Sequence, residues 1–369
     1  MTDIIIIGGG LAGLVNSILL SRQGLSVVLF EKKAYPFHRV CGEYISNEVR
    51  PFLERNGLFP EALEPTEISK FTLTSTNGRR ADLNLDMGGF GISRYALDHF
   101  LFEKAVEAGV EVRHTTTVTD SKFIKDHFEV SVGKDVFESK MVIGSHGKRS
   151  KLDSDLERGF MTQKSPYLAV KHHIKTDFPS DRIALHNFKD GYCGISQVEN
   201  ETFNLCYLSH RDNLRNSENI EEMEKTILAE NPFLKEIFEN SDFLFDKPLV
   251  INEISFEKKD PIENHILMSG DSAGMITPLC GNGMAMAIHS AKILSETILK
   301  HWRQGDPKRE LLEQEYEKSW NAQFAFRLKA GRTIQRLFGS KTASNVGVGL
   351  AKIKPVAIQI IGLTHGKEF

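Results

Sequence analysis

The chain is poor in the residues that build disulfide-stapled or metal-held folds. Its 369 residues contain four cysteines, Cys41, Cys193, Cys206 and Cys280, with no C-x-x-C pair. That pattern excludes a zinc or disulfide framework, offers no metal site, and suits a reducing cytoplasm. No uninterrupted apolar stretch reaches the ~20 residues that cross a bilayer. The longest weakly polar segment, Ala343 to Thr364, is broken by Lys352, Lys354 and Pro355. A net charge of -3 gives none of the cationic excess of a nucleic-acid binder, so nucleic acid is not expected as a partner. Internal repeats and low-complexity tracts are missing. Acidic residues are also missing between Glu317 and Glu368, where Arg327, Lys329, Arg332, Arg336, Lys341, Lys352 and Lys354 interleave with Phe324, Leu328, Ile334, Leu337 and Phe338.

What is present starts at residue 3, which on this reading leaves no room for a signal or transit peptide. The run Asp3-Ile4-Ile5-Ile6-Ile7 stops at Gly8-Gly9-Gly10, and Leu11 to Arg22 then has helical character. A buried parallel strand, a tight turn and a helix start are implied. Gly8, Gly10 and Gly13 fit G-x-G-x-x-G: one glycine for the turn, one for approach of a pyrophosphate, one for close helix packing. N–H groups at the helix start, Leu11 and Ala12 among them, point at the phosphates. A second apolar run, Ser26 to Phe30, ends in Glu31, where a carboxylate accepts ribose hydroxyls. Dinucleotide binding is therefore expected.

The stretch Lys32 to Glu43 is a loop, marked by Pro36 and Gly42, leaving the cofactor edge of the sheet. Lys32 and Arg39 are placed to face phosphates, and Cys41 to sit near the far end of a bound dinucleotide. Glu67–Ser75 and Arg80–Leu85 alternate as a hairpin around Asn77-Gly78, the first piece of a second domain. A helix starts again in Gly91–Asp98 with Ser93 as its cap. Arg94 in its first turn works against the helix dipole, which implies an anionic partner such as a cofactor phosphate. Glu111–His114 is a strand, Thr117–Phe123, Phe128–Val132 and Val136–Lys140 a meander, and Met141–Ser145 a separate short strand. Arg149, in the loop that follows, is a candidate charge partner. From Tyr167 to Leu208 four strands follow, then two helices around Pro232, then Phe243–Val250 as strand. This antiparallel middle third is suited to covering a cofactor and shaping a substrate cavity.

His265 to Gly270 is a late strand ending in Asp271, followed by a glycine-rich loop and a helix from Asn282 to about Lys300. The device at the start of the chain is repeated. Asp271 suits polyol hydroxyls, and the amides of Gly283 and Met284 sit at a positive helix end; a flavin's ribityl chain and N1–C2=O edge need both.

The set Gly8-x-Gly10-x-x-Gly13 with Glu31, Ser93-Arg94-Tyr95-Ala96-Leu97-Asp98, and Gly270-Asp271-Ser272-Ala273-Gly274 with Pro278 and Gly281-Asn282-Gly283 resembles the FAD-dependent monooxygenase and geranylgeranyl reductase superfamily. Arg39-Val40-Cys41-Gly42-Glu43 looks more like the reductase branch, where a Cys-Gly pair lies close to the flavin. The resemblance covers roughly residues 1–300. It implies an α/β fold: a Rossmann-like FAD-binding domain (1–65, 91–160 and 262–300), an inserted antiparallel sheet domain for the substrate (66–90 and 161–261), and a C-terminal helical region (301–369). It implies that Gly8, Gly10 and Gly13 hold the FAD pyrophosphate, Glu31 the adenosine ribose and Lys32 the adenosine side. Arg94 would serve the phosphate–ribityl region, the Val118 backbone adenine, Asp271 the pyrophosphate or ribityl, and Gly281, Asn282, Gly283 and Met284 the isoalloxazine.

The sequence departs from the superfamily at two places. Gly144-Ser145-His146-Gly147 carries His146 where hydroxylases have an acid in G-x-D-G, which puts direct NADPH reduction in doubt. Gly191-Tyr192-Cys193-Gly194-Ile195-Ser196 lacks the Trp and Pro that lipid reductases often carry. The paired-Trp motif of flavin halogenases is absent too. Three readings follow: an FAD-dependent reductase passing hydride to an apolar lipid, isoprenoid or polyketide-like substrate; a monooxygenase hydroxylating an aromatic or polyketide-like ring; and a non-catalytic, membrane-docked flavin binder. Cys41, Tyr192, Cys193 and Cys280 are candidates to line the cavity, with Cys41 and Tyr192 as catalytic candidates. The electron donor is NAD(P)H, bound transiently for want of a second glycine motif, or a reduced carrier protein. The expected location is cytoplasmic, with the basic C-terminal segment either packed on the body or lying on a membrane surface.

Overall fold

The computed structural model describes residues 1–252, 254–303, 306–335, 340–363 and 365–369. Arg336, Leu337 and Phe338 of the basic segment lie outside the described residues. In chain order the elements begin with β1 (Thr2–Ile7), α1 (Leu11–Ser21), β2 (Val27–Phe30), β3 (Tyr44–Ser46), α2 (Arg50–Arg55), β4 (Thr66–Thr74), β5 (Arg80–Gly91) and α3 (Arg94–Glu107). Then come β6 (Glu111–Arg113), β7 (Asp120–Ile124), β8 (His127–Val132), β9 (Asp135–Gly144), α4 (Lys151–Asp155), β10 (Tyr167–Lys175), β11 (Arg182–Phe188), β12 (Gly191–Gln197) and β13 (Phe203–His210). The last part holds α5 (Arg211–Arg215), α6 (Ile220–Thr226), α7 (Pro232–Asn240), β14 (Asp242–Phe243), β15 (Leu249–Asn252), β16 (Ile262–Glu263), β17 (Ile266–Met268) and α8 (Gly283–His301). Helices α9 (Arg309–Trp320), α10 (Phe326–Gln335), α11 (Lys341–Ala351) and α12 (Lys354–Gly362) follow.

A parallel sheet in the order β17-β9-β1-β2-β6 forms the first body, with β16 antiparallel at its edge. Ile5 of β1 pairs with Val28 on one side and Val142 on the other. A strand with neighbours on both edges and layers on both faces reads as a continuous apolar run, and Ile4 to Ile7 are all buried. Burying each such side chain contributes about 2 kcal/mol. α1 packs against α3 and α8 over this sheet. β9 is one strand: its first half pairs with β8 and its second half with β1, so the separate Val136–Lys140 and Met141–Ser145 strands of the sequence reading are joined. Lys140 does not break it, because its ammonium reaches Asp3 at 2.7 Å and satisfies the charge at the sheet's end.

The second sheet runs β14-β10-β13-β12-β11-β4-β5-β3, with β15 also on β10. It is antiparallel except where β11 lies parallel to β4. The Asn77-Gly78 hairpin forms as its pattern suggests, and Gly78 takes φ +80°. One expectation changes. Phe243–Val250 is not one strand; only Asp242–Phe243 and Leu249–Asn252 pair with β10, and Pro248 lies between them. Gly91 closes β5, and α3 starts at Arg94 after Ser93, whose Oγ accepts the Ala96 N–H at 3.1 Å. β3, within the 1–65 segment, pairs with β5 of the second sheet.

Side chains alternate across the second sheet, as the pleat requires. Leu168, Val170, Cys193 and Leu205 pack with Met223, Leu228 and Leu234 around α6 and α7. Ala169, Leu185, Tyr192 and Leu208 face the other way, toward Met275 and toward Val348 and Ala351 of α11. The site lies on that second face.

Candidate functional site

The chain leaves β1 through Gly8 at φ +105°, where a Cβ would lie 2.5 Å from the Ser145 carbonyl oxygen. A Cβ on Gly13 would lie 2.0 Å from the Gly8 carbonyl oxygen, so only glycine lets α1 sit this close to the strand. Gly10 differs: a Cβ there would meet only the Arg94 guanidinium, at 3.6 Å. Gly10 also caps α1 without a side-chain hydrogen bond. The first-turn amides of α1 thus have no side-chain acceptor, which is the arrangement that receives an anionic ligand.

Glu31 is buried at the tip of β2. Its Oε2 accepts the Gly9 N–H at 2.9 Å and its Oε1 the Lys33 N–H at 3.0 Å, and Arg39 Nη2 stands 3.3 Å away. A carboxylate has about four acceptor positions, so one stays open for a ribose hydroxyl. Arg39 also pairs with Asp98 at 2.9 Å, and Arg94 pairs with the same Asp98 at 2.7 Å. The anion implied by Arg94's place in the first turn is therefore an i,i+4 partner. Burial works against the Arg94 charge, but Asp98 and the Cys41 side chain outweigh it and hold its pKa above the usual range.

Behind Cys41 lies a group that sequence spacing does not reveal. The fully buried Glu43 carboxylate accepts from Lys171 Nζ at 2.5 Å, His173 Nε2 at 2.8 Å and the Arg94 N–H at 2.7 Å. Burial raises the Glu43 pKa, but Lys171 and His173 prevail and lower it. Lys171 also donates to the Arg39 carbonyl at 3.2 Å, and Asn204 Nδ2 donates to the Cys41 carbonyl at 3.1 Å. Strands β10 and β13 thus fix the 39–43 loop from below. His38 stacks on Tyr95, and burial followed by the Lys171 charge lowers its pKa to about 4.

The late bend is built differently. Ser272 Oγ accepts the Gly147 N–H at 2.8 Å, tying the Gly144–Gly147 loop to it. His146 Nε2 and Arg158 Nη1 both meet Asp153 Oδ1, at 3.1 and 2.8 Å. Burial raises the Asp153 pKa, but these partners hold it below the usual carboxylate range. The residue that replaces the expected acid thus has its own acid seven positions on. Lys259, lowered to about 8 chiefly by burial, donates to the Asp271 carbonyl at 2.9 Å. Asn282, ahead of α8, reaches both Glu48 carboxylate oxygens at 3.4 Å. Glu48 also receives the Gly366 N–H and stands 3.5 Å from Arg327. The C-terminal tail is thereby tied to the second glycine bend.

Both bends open on one cavity of about 1090 Å³. It is lined by Gly8, Gly10, Leu11, Ala12, Glu31, Lys32 and Val118. Arg39, Cys41, Arg94, Asp271, Gly281, Asn282, Gly283 and Met284 line it as well. Leu73, Leu83, Ile183, Leu185, Tyr192 and Leu208 give the same cavity an apolar chamber wall. Gly13 does not line the cavity; it is taken up by helix packing. Cys193 is corrected: it sits on the opposite face of β12 from Tyr192, in the core beneath α6 and α7. Cys280 lines the cavity as expected, and so does Cys206, whose thiol is pushed up to about 12 by burial. The Tyr192 hydroxyl lies against the Leu279 backbone, and burial holds its pKa well above the usual phenol range. Arg149 donates to the Met161 carbonyl at 3.3 Å and is not among the lining residues. Sequence reasoning missed the roof: Val346, Gly347, Leu350 and Ala351 of α11 and Ala357, Ile360 and Ile361 of α12 also line the cavity. Among the described residues, no cluster of three or more His, Cys, Asp or Glu is placed to hold a metal, and no helix is long and apolar enough to cross a membrane.

Known proteins agree with this architecture. Conditioned medium factor receptor 1 of Dictyostelium discoideum is 23% identical over 364 residues, covering 90% of this chain and 70% of the receptor. Digeranylgeranylglycerophospholipid reductase of Methanosarcina acetivorans is 25% identical over 340 residues, covering 86% and 80%. Among solved structures, the geranylgeranyl bacteriochlorophyll reductase-like protein of Thermoplasma acidophilum superposes with a TM-score of 0.74 at 16% identity, covering 100% of this chain and 96% of that one. Halogenase PltM in complex with phloroglucinol and FAD superposes with a TM-score of 0.76 at 18% identity, covering 94% and 78%. The family model described as FAD binding domain matches residues 1–323. The chain belongs to that family, and it is an FAD-dependent oxidoreductase.

Proposed function

We propose that this protein is a reductase of the geranylgeranyl reductase type, acting on an apolar substrate of lipid, isoprenoid or polyketide-like character. One observation carries the reading: the cavity that both glycine bends line also has an apolar chamber wall of Leu73, Leu83, Ile183, Leu185 and Leu208. Such walls favour hydrocarbon and offer little to a charged substrate. FAD would supply the hydride chemistry when bound. Glu31 would accept ribose hydroxyls, the α1 amides would hold the pyrophosphate with Arg39 and Arg94 beside it, and Asp271 with the 281–284 bend would hold the ribityl–isoalloxazine part.

Tyr192 is the acid proposed for the substrate carbon. It stands on the chamber wall and carries a hydroxyl proton there. Cys41, anchored through its backbone and touching Arg94, would face the cofactor. The related relatives named as reductases support the reductase reading over a monooxygenase of the same fold. Electrons would come from NAD(P)H or a reduced carrier protein.

The test is to purify the protein, record its visible spectrum, and follow bleaching by NADPH, NADH and dithionite under argon. The reduced protein is then offered an unsaturated isoprenoid lipid. Two hydrogens gained per double bond, without oxygen, support the reading; a hydroxylated product formed only with oxygen would assign the monooxygenase instead. Tyr192→Phe should cut turnover by about 100-fold with binding little changed, and Cys41→Ala should shift the flavin potential.

A further inference from the structure

We propose that the outer face of α11 and α12 docks this protein on an anionic lipid bilayer, with the mouth of the cavity at the contact. This surface does not depend on which reaction the cavity serves. Val346, Leu350 and Leu363 are both exposed, at 57%, 40% and 39%, and part of the cavity lining. Side chains that meet solvent and cavity together mark its rim. Beside them Ile353 and Ile358 are 51% and 46% exposed and are not part of the lining, so they point away from the body.

The inner face of the same helices is satisfied. Val348 and Ala351 pack on Leu73 and Leu185 of the second sheet, and Ala357 is buried. The tail that follows is tied to Glu48 through Gly366. Apolar side chains on the outer face therefore have no intramolecular task.

Charge selects the occupant. Lys352 and Lys354 flank Ile353 and are exposed, and the sequence from Lys318 to Lys367 contains no acid. A two-fold contact with a second copy sets a patch against itself, which would press like charges together. Anionic headgroups attract those lysines while the interface takes the isoleucines. The pattern is that of a helix pair lying in a membrane surface, with no spanning element needed.

Flotation of the FAD-loaded full chain tests it, using vesicles of phosphatidylcholine alone and of phosphatidylcholine with phosphatidylglycerol. The protein should float with the anionic vesicles and far less with the neutral ones. Lys352→Ala and Lys354→Ala should each lower partitioning about fivefold. Ile353→Asp with Ile358→Asp should abolish flotation while the visible absorbance of bound flavin is unchanged. Failure to float with either vesicle, or equal flotation of the wild type and all variants, overturns the proposal. A concentration-dependent dimer that Ile353→Asp dissociates would give the face to a second copy and overturn it as well.

Discussion

The two glycine bends look alike in sequence and are held by different physics. At the first, backbone presses on backbone: the site of a Gly13 Cβ lies 2.0 Å from the Gly8 carbonyl oxygen. At the second, a Cβ on Gly283 would meet only Ile276 Cγ2 at 3.8 Å, an ordinary contact. The first bend needs Gly8 and Gly13 to fold. The second has room at Gly283, and is held by side chains: Asn282 on Glu48, and Glu48 on Gly366 and Arg327. One glycine pattern thus encodes close packing in one place and space beside a cavity in the other.

Four substitutions test this contrast. Gly13→Ala should have the largest effect, about 3 kcal/mol or more, because the obstacle is main chain that cannot turn aside; urea unfolding of the apoprotein measures it. Glu48→Ala should cost about 2 kcal/mol by leaving the partly buried Arg327 and the Gly366 N–H without their acceptor. Faster proteolysis of α11 and α12, with the first bend untouched, would show that the loss is confined to the second.

His289 supplies a pH test of the second bend alone. It stacks on Phe369 at 3.7 Å, and its pKa is lowered to about 3 by burial, then by Arg327 and Lys292. The unfolded chain takes up the proton first, from about pH 6.5 downward. Stability from the neutral ring is therefore full above that pH and is lost as pH falls toward about 3. His289→Gln should flatten the dependence of stability on pH in that window by up to about 1.4 kcal/mol per pH unit. Gly283→Ala should move stability least, by under about 1 kcal/mol and upward if at all, while FAD affinity drops about tenfold. An equal loss of stability at Gly283 and Gly13 would erase the distinction.

Local physics made the first bend legible in the sequence. The apolar run, the glycine spacing and Glu31 lie within 30 residues, and each constrains its neighbours through turns and strand pairing. The Asn77-Gly78 hairpin and the strands from Tyr167 to Leu208 were legible for the same reason. What joins distant segments was not. Glu43 meets Lys171 and His173 some 130 residues on, β11 lies parallel to β4, and α11 covers the cavity; no local period records these pairings. The face of β12 that meets the cavity was misjudged at Cys193, since adjacent strand residues point opposite ways and the sequence alone did not say which side is covered. The Arg94–Asp98 pair was legible as an i,i+4 spacing, and it supplies the anion that Arg94's place in the first turn implies.

The buried Lys171–Glu43–His173 group sets a rule for anyone reshaping this protein. Residues of the chamber wall such as Leu83 and Ile183 are free to be enlarged or trimmed to admit other molecules. Lys171 is not, although it stands 130 positions from Cys41, because neutralising it would strand the Glu43 carboxylate in the interior and release the segment that presents the thiol. The shape of the chamber and the integrity of the 39–43 loop can therefore be varied separately.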